Sequence, residues 1–279
     1  MSLAQKIISR LPYKLQFLAI KLLYRKRGVK LQDFKVMNKG KFYLYKIDGT
    51  YIPSESLGWF VTYPYYQQWV DTLSAAFYKP RLGDVILDIG AGIGEEAIVF
   101  SRMVGDEGRV YCIEANPQVF GVLETVVGLN RLKNILLYNI AINNDNSEVF
   151  LEVTGETFLR ETIKKNASTA NKAFKVQGKK LKTFIEENDI PRINLLKVNI
   201  EGAERFVIET IGDAISKVEN VAIACHDFRY KNEGGNEFFR THQLVYDFLV
   251  SKGFIIQSLS TGEAHKDDWI FGSMRKSSV

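Results

Sequence analysis

Cysteine is nearly absent from this 279-residue chain: only Cys112 and Cys225 occur, each within an apolar run. Two isolated thiols argue against a disulfide scaffold and a cysteine-built metal site, and they read as core residues of a protein kept in a reducing compartment. Histidine is as scarce, with three in all. Beside scattered acids these make a weak metal-ligand signature, so no metal is expected; the alternative is assistance by an oxygen-preferring ion at Asn199, Glu201, His226 or Asp227. No stretch offers the roughly 18 uninterrupted apolar residues that a membrane span requires. Lys14 and Lys21 break any early apolar segment that could act as a secretory signal, and a cytoplasmic protein is expected.

Acid is missing from residues 1–30, which hold eight basic residues (Lys6, Arg10, Lys14, Lys21, Arg25, Lys26, Arg27, Lys30). The remainder carries 29 basic against 32 acidic residues, so the formal net charge of +5 is a local property of the first thirty positions. The main body therefore gives no reason to expect a nucleic-acid partner. From Leu15 to Tyr24, the residues Leu15, Phe17, Leu18, Leu22 and Leu23 are interleaved with lysine at near-helical spacing, downstream of Pro12. This predicts a basic amphipathic helix. Two readings stand: a helix packed on the main domain with a solvated basic rim, or peripheral contact of residues 1–30 with an anionic membrane.

Against these absences stands one dense local signal, running from Gly83 to Glu96. Four aliphatic residues in five positions (Val85, Ile86, Leu87, Ile89), with Asp88 among them, lead into glycines at every second position: Gly90, Gly92 and Gly94. The pattern predicts a buried parallel strand turning sharply into a helix. Residues without a Cβ can take positive φ and let a ligand approach, while the first N–H groups of the helix point at it. A dinucleotide turn would read G-x-G-x-x-G and hold a pyrophosphate. Here the spacing is G-x-G-x-G, and Glu95 and Glu96 would repel phosphate. A nucleoside bearing a sulfonium and an ammonium suits those acids better, and the stretch resembles the first motif of class I S-adenosylmethionine methyltransferases. The plainer alternative is a turn that only links a strand to a helix.

Around this centre the chain reads as an alternating α/β protein. Lys41 to Ile52 suggests a hairpin turning at Asp48-Gly49. An aromatic belt follows (Trp59, Phe60, Tyr63, Tyr65, Tyr66, Trp69), either a lid over the cofactor or a helix packed on a sheet edge. Arg109–Glu114 reads as the second strand, ending in an acid 20 residues after Gly94, where a carboxylate can accept both ribose hydroxyls. Asn116-Pro117 opens a helix to about Leu129, and Asn134–Asn139 supplies the third strand. Residues 142–192 break the alternation and read as an insertion, with strands at 148–153 and 174–176, a polar loop at 166–171 and a short helix at 181–187. Alternation resumes with Asn194–Glu204, Val221–Asp227, a helix over about 238–250, and strands at 254–259 and 269–271. The expected fold is a Rossmann-like, doubly wound, mostly parallel seven-stranded sheet with one antiparallel strand. The expected domains are an extension over 1–80 and a cofactor-binding domain over 81–279.

The strand ends bring a second set of residues to the cofactor face: Asn199, Glu201, His226 and Asp227. The segment Asn199-x-Glu201-Gly202-Ala203-Glu204, together with the glycine turn, Glu114 and the His226-Asp227 pair, resembles the FkbM-type family of S-adenosylmethionine-dependent O-methyltransferases. The resemblance covers about residues 63–227. It implies the class I methyltransferase fold, S-adenosyl-L-methionine as cofactor, and a small-molecule or glycan acceptor. The cofactor contacts expected are Asp88, Gly90, Ala91, Gly92, Gly94, Glu114, Ala115, Asn116 and Ala141. Candidate catalytic residues are His226, as base or as orienting group, with Glu201 and Asn199. Asn199 stands where the family has Asp, and its amide offers a carbonyl oxygen but no charge. The expected function is methyl transfer to a hydroxyl of a sugar, lipid-linked glycan or secondary metabolite. The alternative is a non-catalytic cofactor-binding or membrane-associated module of a biosynthetic assembly.

Overall fold

The computed structural model describes residues 3–38, 41–58, 60–153, 161–164, 172–232 and 235–274. The expected polar loop at 166–171 and Trp59 of the aromatic belt lie outside the described residues. A seven-stranded sheet forms the centre, from β1 (Val85–Ile89), β2 (Arg109–Ile113), β3 (Ile135–Tyr138), β4 (Leu195–Val198), β5 (Asn220–Ala224), β6 (Phe254–Gln257) and β7 (Trp269–Met274). Their spatial order is 6-7-5-4-1-2-3. All neighbours pair in parallel except β7, which runs antiparallel to both β5 and β6. This is the mostly parallel α/β sheet expected from the alternation. The order reverses between β1 and β4, and the crevice at their carboxyl ends is where such sheets bind ligands.

Apolar continuity explains the central strands. Ile86, Leu87, Ile89, Leu195, Leu196 and Val198 are all buried, because helices cover both faces of a parallel sheet and leave no solvated side. Helix Glu95–Val104 follows β1 and stops at Gly105, and helix Pro117–Asn130 is capped by Asn116, whose Oδ1 accepts from the Gln118 N–H.

The expected hairpin is present, with Asp48 (φ +48°) and Gly49 (φ +79°) forming its turn; two successive left-handed residues match the twist of the flanking strands. It gains a third antiparallel strand, Leu31–Met37, which its mixed polar composition hid. Helix Tyr13–Arg25 seats Ile20 and Tyr24 on this small sheet beside Phe34, Tyr43 and Tyr45. The aromatic belt is a helix, Tyr63–Thr72, capped by Thr62. Within the stretch expected as an insertion, Glu148–Val153, Glu161–Lys164 and Lys172–Lys179 join Ile140–Ile142 in a separate four-stranded sheet. The helix expected over 238–250 is split into a single turn, Glu237–Phe239, and a helix, His242–Ser251. Asp227 causes the break: its Oδ2 accepts from the N–H groups of both Thr241 and His242, at 2.9 and 2.8 Å. No helix among the described residues is long and apolar enough to cross a membrane.

Candidate active site

The glycine turn follows from its backbone. Gly90, Gly92 and Gly94 all take positive φ (+80°, +58° and +95°), which a residue with a Cβ adopts only at a cost. Gly90 is also sterically obligatory, since a Cβ there would lie 2.0 Å from the Asn199 carbonyl oxygen. The N–H groups of Gly90 and Ala91 both donate to Ile113 O at the end of β2. The Gly92 N–H donates to Glu114 Oε2 at 3.0 Å, while Glu114 Oε1 accepts from the Asn116 N–H at 2.8 Å.

This turn forms one wall of a cavity of about 460 Å³, within the size range of small-ligand sites. Gly90, Ala91, Gly92, Glu114, Ala115, Ala141, Asn199 and Glu201 all line it, as expected from the sequence. Asp88, Gly94, Asn116 and His226 do not. Gly94 packs against Leu123 and Val126 of the next helix, where a Cβ would meet Leu123 at 2.9 Å. Asn116 is spent as a helix cap. Asp88 is fully buried beneath the turn, where Lys197 holds it.

Lys197 was not anticipated. It sits in the middle of β4, only 2 % exposed, with Nζ 2.9 Å from Asp88 Oδ1 and 3.0 Å from Glu96 Oε2. It also donates to the Gly90 carbonyl at 2.9 Å, and Ser74 Oγ donates to the other Glu96 oxygen at 2.6 Å. Burial works against the ammonium, but the two carboxylates outweigh it and hold its pKa well above the usual lysine range. The sequence signal was a lone charge inside the apolar run Leu195-Leu196-Lys197-Val198, since lysine is almost never fully buried without a partner.

A second ionic group stands at the exit of β4. Glu201 takes a left-handed backbone (φ +56°) and is followed by Gly202 at φ +97°. Its Oε1 lies 3.3 Å from His226 Nε2, and its Oε2 is paired with Arg229 Nη1. His226 Nδ1 in turn lies 3.0 Å from Glu204 Oε1. That oxygen also accepts from the Ile200 and Gly202 N–H groups at 3.2 and 3.3 Å, which fixes the turn. Burial lowers the His226 pKa, but Glu204 and Glu201 outweigh it and raise it to about 10. Burial pushes the Glu201 carboxyl up, and His226 and Arg229 more than reverse that, holding it below the ordinary value. The imidazole is therefore a cation at neutral pH, and the group facing the cavity is an ionised carboxylate. Arg229, missed in the sequence, is buried under Phe239, its guanidinium 4.0 Å from the ring centre.

A family model described as the Methyltransferase FkbM domain matches residues 88–256, more than half of the chain. The chain belongs to the FkbM methyltransferase family. Solved structures with similar folds include fibrillarin from Aeropyrum pernix with natively bound S-adenosyl-L-methionine. That one is 14 % identical, with 88 % of this chain and 98 % of that chain covered and a TM-score of 0.44. Another is an S-adenosylmethionine-dependent O-methyltransferase from Thermotoga maritima, at 14 % identity, 78 % and 68 % coverage and a TM-score of 0.43. A third is precorrin-6y C5,15-methyltransferase from Geobacter metallireducens, at 12 % identity, 77 % and 87 % coverage and a TM-score of 0.42. Membership rests on the family match.

The S-adenosyl-L-methionine expected of an FkbM methyltransferase suits the charge of this cavity. Among the described residues five acids line the space, Glu55, Glu95, Glu96, Glu114 and Glu201, against one cation, Lys197, which is already ion-paired. Glu95 Oε2 is buried and accepts no hydrogen bond among the described residues. Burial pushes the Glu95 carboxyl up to about 8 and that of Glu114 up to about 7. Buried acids held this close to neutrality favour a ligand that brings positive charge and disfavour a phosphate.

Proposed function

We propose that this chain transfers a methyl group from S-adenosyl-L-methionine to a hydroxyl oxygen of a sugar, lipid-linked glycan or secondary metabolite. The observation that carries the reading is the Glu201 carboxylate: it lines the same cavity as the glycine turn and is kept ionised by His226 and Arg229. When bound, the cofactor supplies an electrophilic methyl group. The backbone from Gly90 to Gly92 and the Glu114 carboxylate would hold its ribose, and Glu95 its ammonium. Asn199, exposed on the cavity wall, offers a carbonyl oxygen to orient the acceptor hydroxyl. Glu201 takes the hydroxyl proton as the oxygen becomes bonded to carbon. A weak base suffices, because alignment of two bound reactants alone contributes about 7–11 kcal/mol. His226 is then a positioning residue: two flanking carboxylates keep it protonated, which supports the orienting role over that of base. In domain terms, residues 81–279 would be the transferase and residues 1–80 an extension that closes one side of the cavity.

Labelled methyl transfer to a panel of sugars and lipid-linked glycans tests the reaction. Glu201→Gln is expected to lower kcat by roughly 10²-fold or more, the range of general acid–base contributions, with cofactor affinity unchanged. Equal turnover by that variant overturns the assignment. The second reading, a cofactor-binding module without turnover, draws on Asn199 at the position of the family acid. It predicts binding of S-adenosyl-L-methionine and no transfer to any acceptor.

A further inference from the structure

The helix Tyr13–Arg25 presents two unlike faces. Ile20 and Tyr24 are buried on the small sheet, yet Leu15, Leu18 and Leu22 are 49 %, 53 % and 50 % exposed. These three leucines lie at i, i+3 and i+7, so they form one stripe along the side opposite the buried pair. Lys14, Lys21 and Arg25 follow the same helical repeat in the adjoining row. Exposed Ile7, from the preceding helix, adds to the apolar surface. A soluble surface helix normally turns its leucines inward and its lysines outward. Here both leucines and lysines face outward, in a segment with eight basic residues and no acid.

This helix is fastened to a wall of the cavity. The Val61 N–H donates to Tyr24 Oη at 3.2 Å, and Gln5 Nε2 donates to the Leu57 carbonyl at 2.7 Å. A Cβ on Gly58 would lie 3.5 Å from Ile20 and 3.8 Å from Leu23. Val61 and the nearby Ser54–Ser56 line the cavity, as do the half-exposed Tyr65 and Trp69. Aromatic residues with one wet and one apolar side are the type enriched at the membrane–water boundary.

We propose that the outer face of helix Tyr13–Arg25 docks on an anionic lipid bilayer, with its leucines in the headgroup boundary and its basic row on the lipid charge. The cavity then receives a hydroxyl acceptor carried by a membrane lipid; this part rests on the methyl-transfer reading. The charge decides the occupant. Leucines alone would suit any apolar surface, but a flanking row of cations in a segment, residues 1–30, that holds no acid matches a surface of uniform negative charge.

The test is co-sedimentation of the full chain with vesicles of phosphatidylcholine alone or with about 30 per cent phosphatidylglycerol, since anionic lipid supplies the attraction. Binding is expected only to the anionic vesicles, weakening as salt rises. Lys14→Gln with Lys21→Gln should weaken it about thirtyfold, taking about 1 kcal/mol for each basic residue near the surface. Leu18→Asp with Leu22→Asp should abolish it. Thermal stabilisation by S-adenosyl-L-methionine should be unchanged in both double variants, because all four side chains lie outside the core and the cavity. A stripe variant that still binds cofactor but no longer sediments upholds the docking surface, whether or not an acceptor for methyl transfer is found. Failure to bind anionic vesicles at low salt overturns the proposal. So does undiminished binding by the leucine variant, or a dimer of the wild-type chain that this variant dissolves, since a second copy would then cover the stripe.

Discussion

Replacing Lys197 by Met removes the cation that stands between two buried acids. Met matches the length of the lysine stem, so the cavity left is small and the loss is electrostatic. Asp88 is 0 % exposed and Glu96 8 %, and Nζ lies within ion-pair distance of both, at 2.9 and 3.0 Å. Breaking a buried pair by deleting one partner costs about 3–5 kcal/mol. For a chain of this size that corresponds to a fall in melting temperature of roughly 6–20 °C. The sign of the pH dependence follows from Asp88, whose pKa burial already raises in the intact protein. Without Lys197 it rises further, so the variant's missing stability should return as the pH falls and the acid takes up a proton. Asp88→Asn combined with Lys197→Met should recover part of the loss, because it removes one of the two buried acids left without a counter-ion. Urea unfolding of the three proteins at several pH values measures this. A Lys197→Met deficit below about 1 kcal/mol, the ordinary value of a surface pair, or one that grows on acidification, refutes the reasoning.

Glu95 and Glu114, with carboxyls raised to about 8 and about 7, contribute stability that is complete below the unfolded value near 4.5 and is lost as pH rises through 7 to 8. Ligand-free protein should therefore weaken across that interval, less so in Glu95→Gln, as pH-dependent thermal unfolding will read. The same linkage makes S-adenosyl-L-methionine binding release protons near neutrality, visible in calorimetry as a dependence on buffer ionisation heat. His226 has the opposite starting point: its pKa is raised to about 10, so its stabilisation is complete below pH 6.5 and is lost as pH rises through 10. His226→Gln should cost about 3–5 kcal/mol at pH 7 by leaving Glu204 buried without a cation, and should flatten the alkaline limb of the stability profile. Gly90→Ala, which sets a methyl group 2.0 Å from Asn199 O, should cost about 1–3 kcal/mol from overpacking and abolish cofactor-dependent thermal stabilisation.

The glycine turn was legible because its physics is local. Positive φ at alternate positions, a buried strand before it and a helix after it are properties of one short stretch, and Glu114 follows at a fixed chain distance. The geometry of this turn is therefore read largely from residue spacing. The sheet was equally readable, since every parallel strand is an uninterrupted apolar run. The charge network was not. Lys197 meets the Gly90 carbonyl across 107 positions of chain, and no periodicity links it to Asp88 or Glu96. Asp88 consequently looked like a ligand contact when it is the partner of a buried lysine. For the same reason the sequence leaves His226 open as base or orienting group: its type and strand-end position are visible, but the two carboxylates that raise its pKa are not. The reach of Asp227 to the helix at His242 is likewise tertiary, and it split a helix that composition alone would have continued.

The near-contact of Gly90 with the Asn199 carbonyl has a consequence for how this protein can change over evolution. The strand exits that carry the glycine turn and Glu201 are wedged together at Gly90 and Asn199, with no side chain between these two and no room for one. On the methyl-transfer reading, the alignment of the two reactants is then set by the sheet itself. Adaptation to a new acceptor is then confined to the other walls, Ser54–Ser56, the helix bearing Tyr65 and Trp69, and the small sheet that contributes Ala141 and Leu151. Those parts can diverge while the junction of Gly90 with Asn199 is inherited intact.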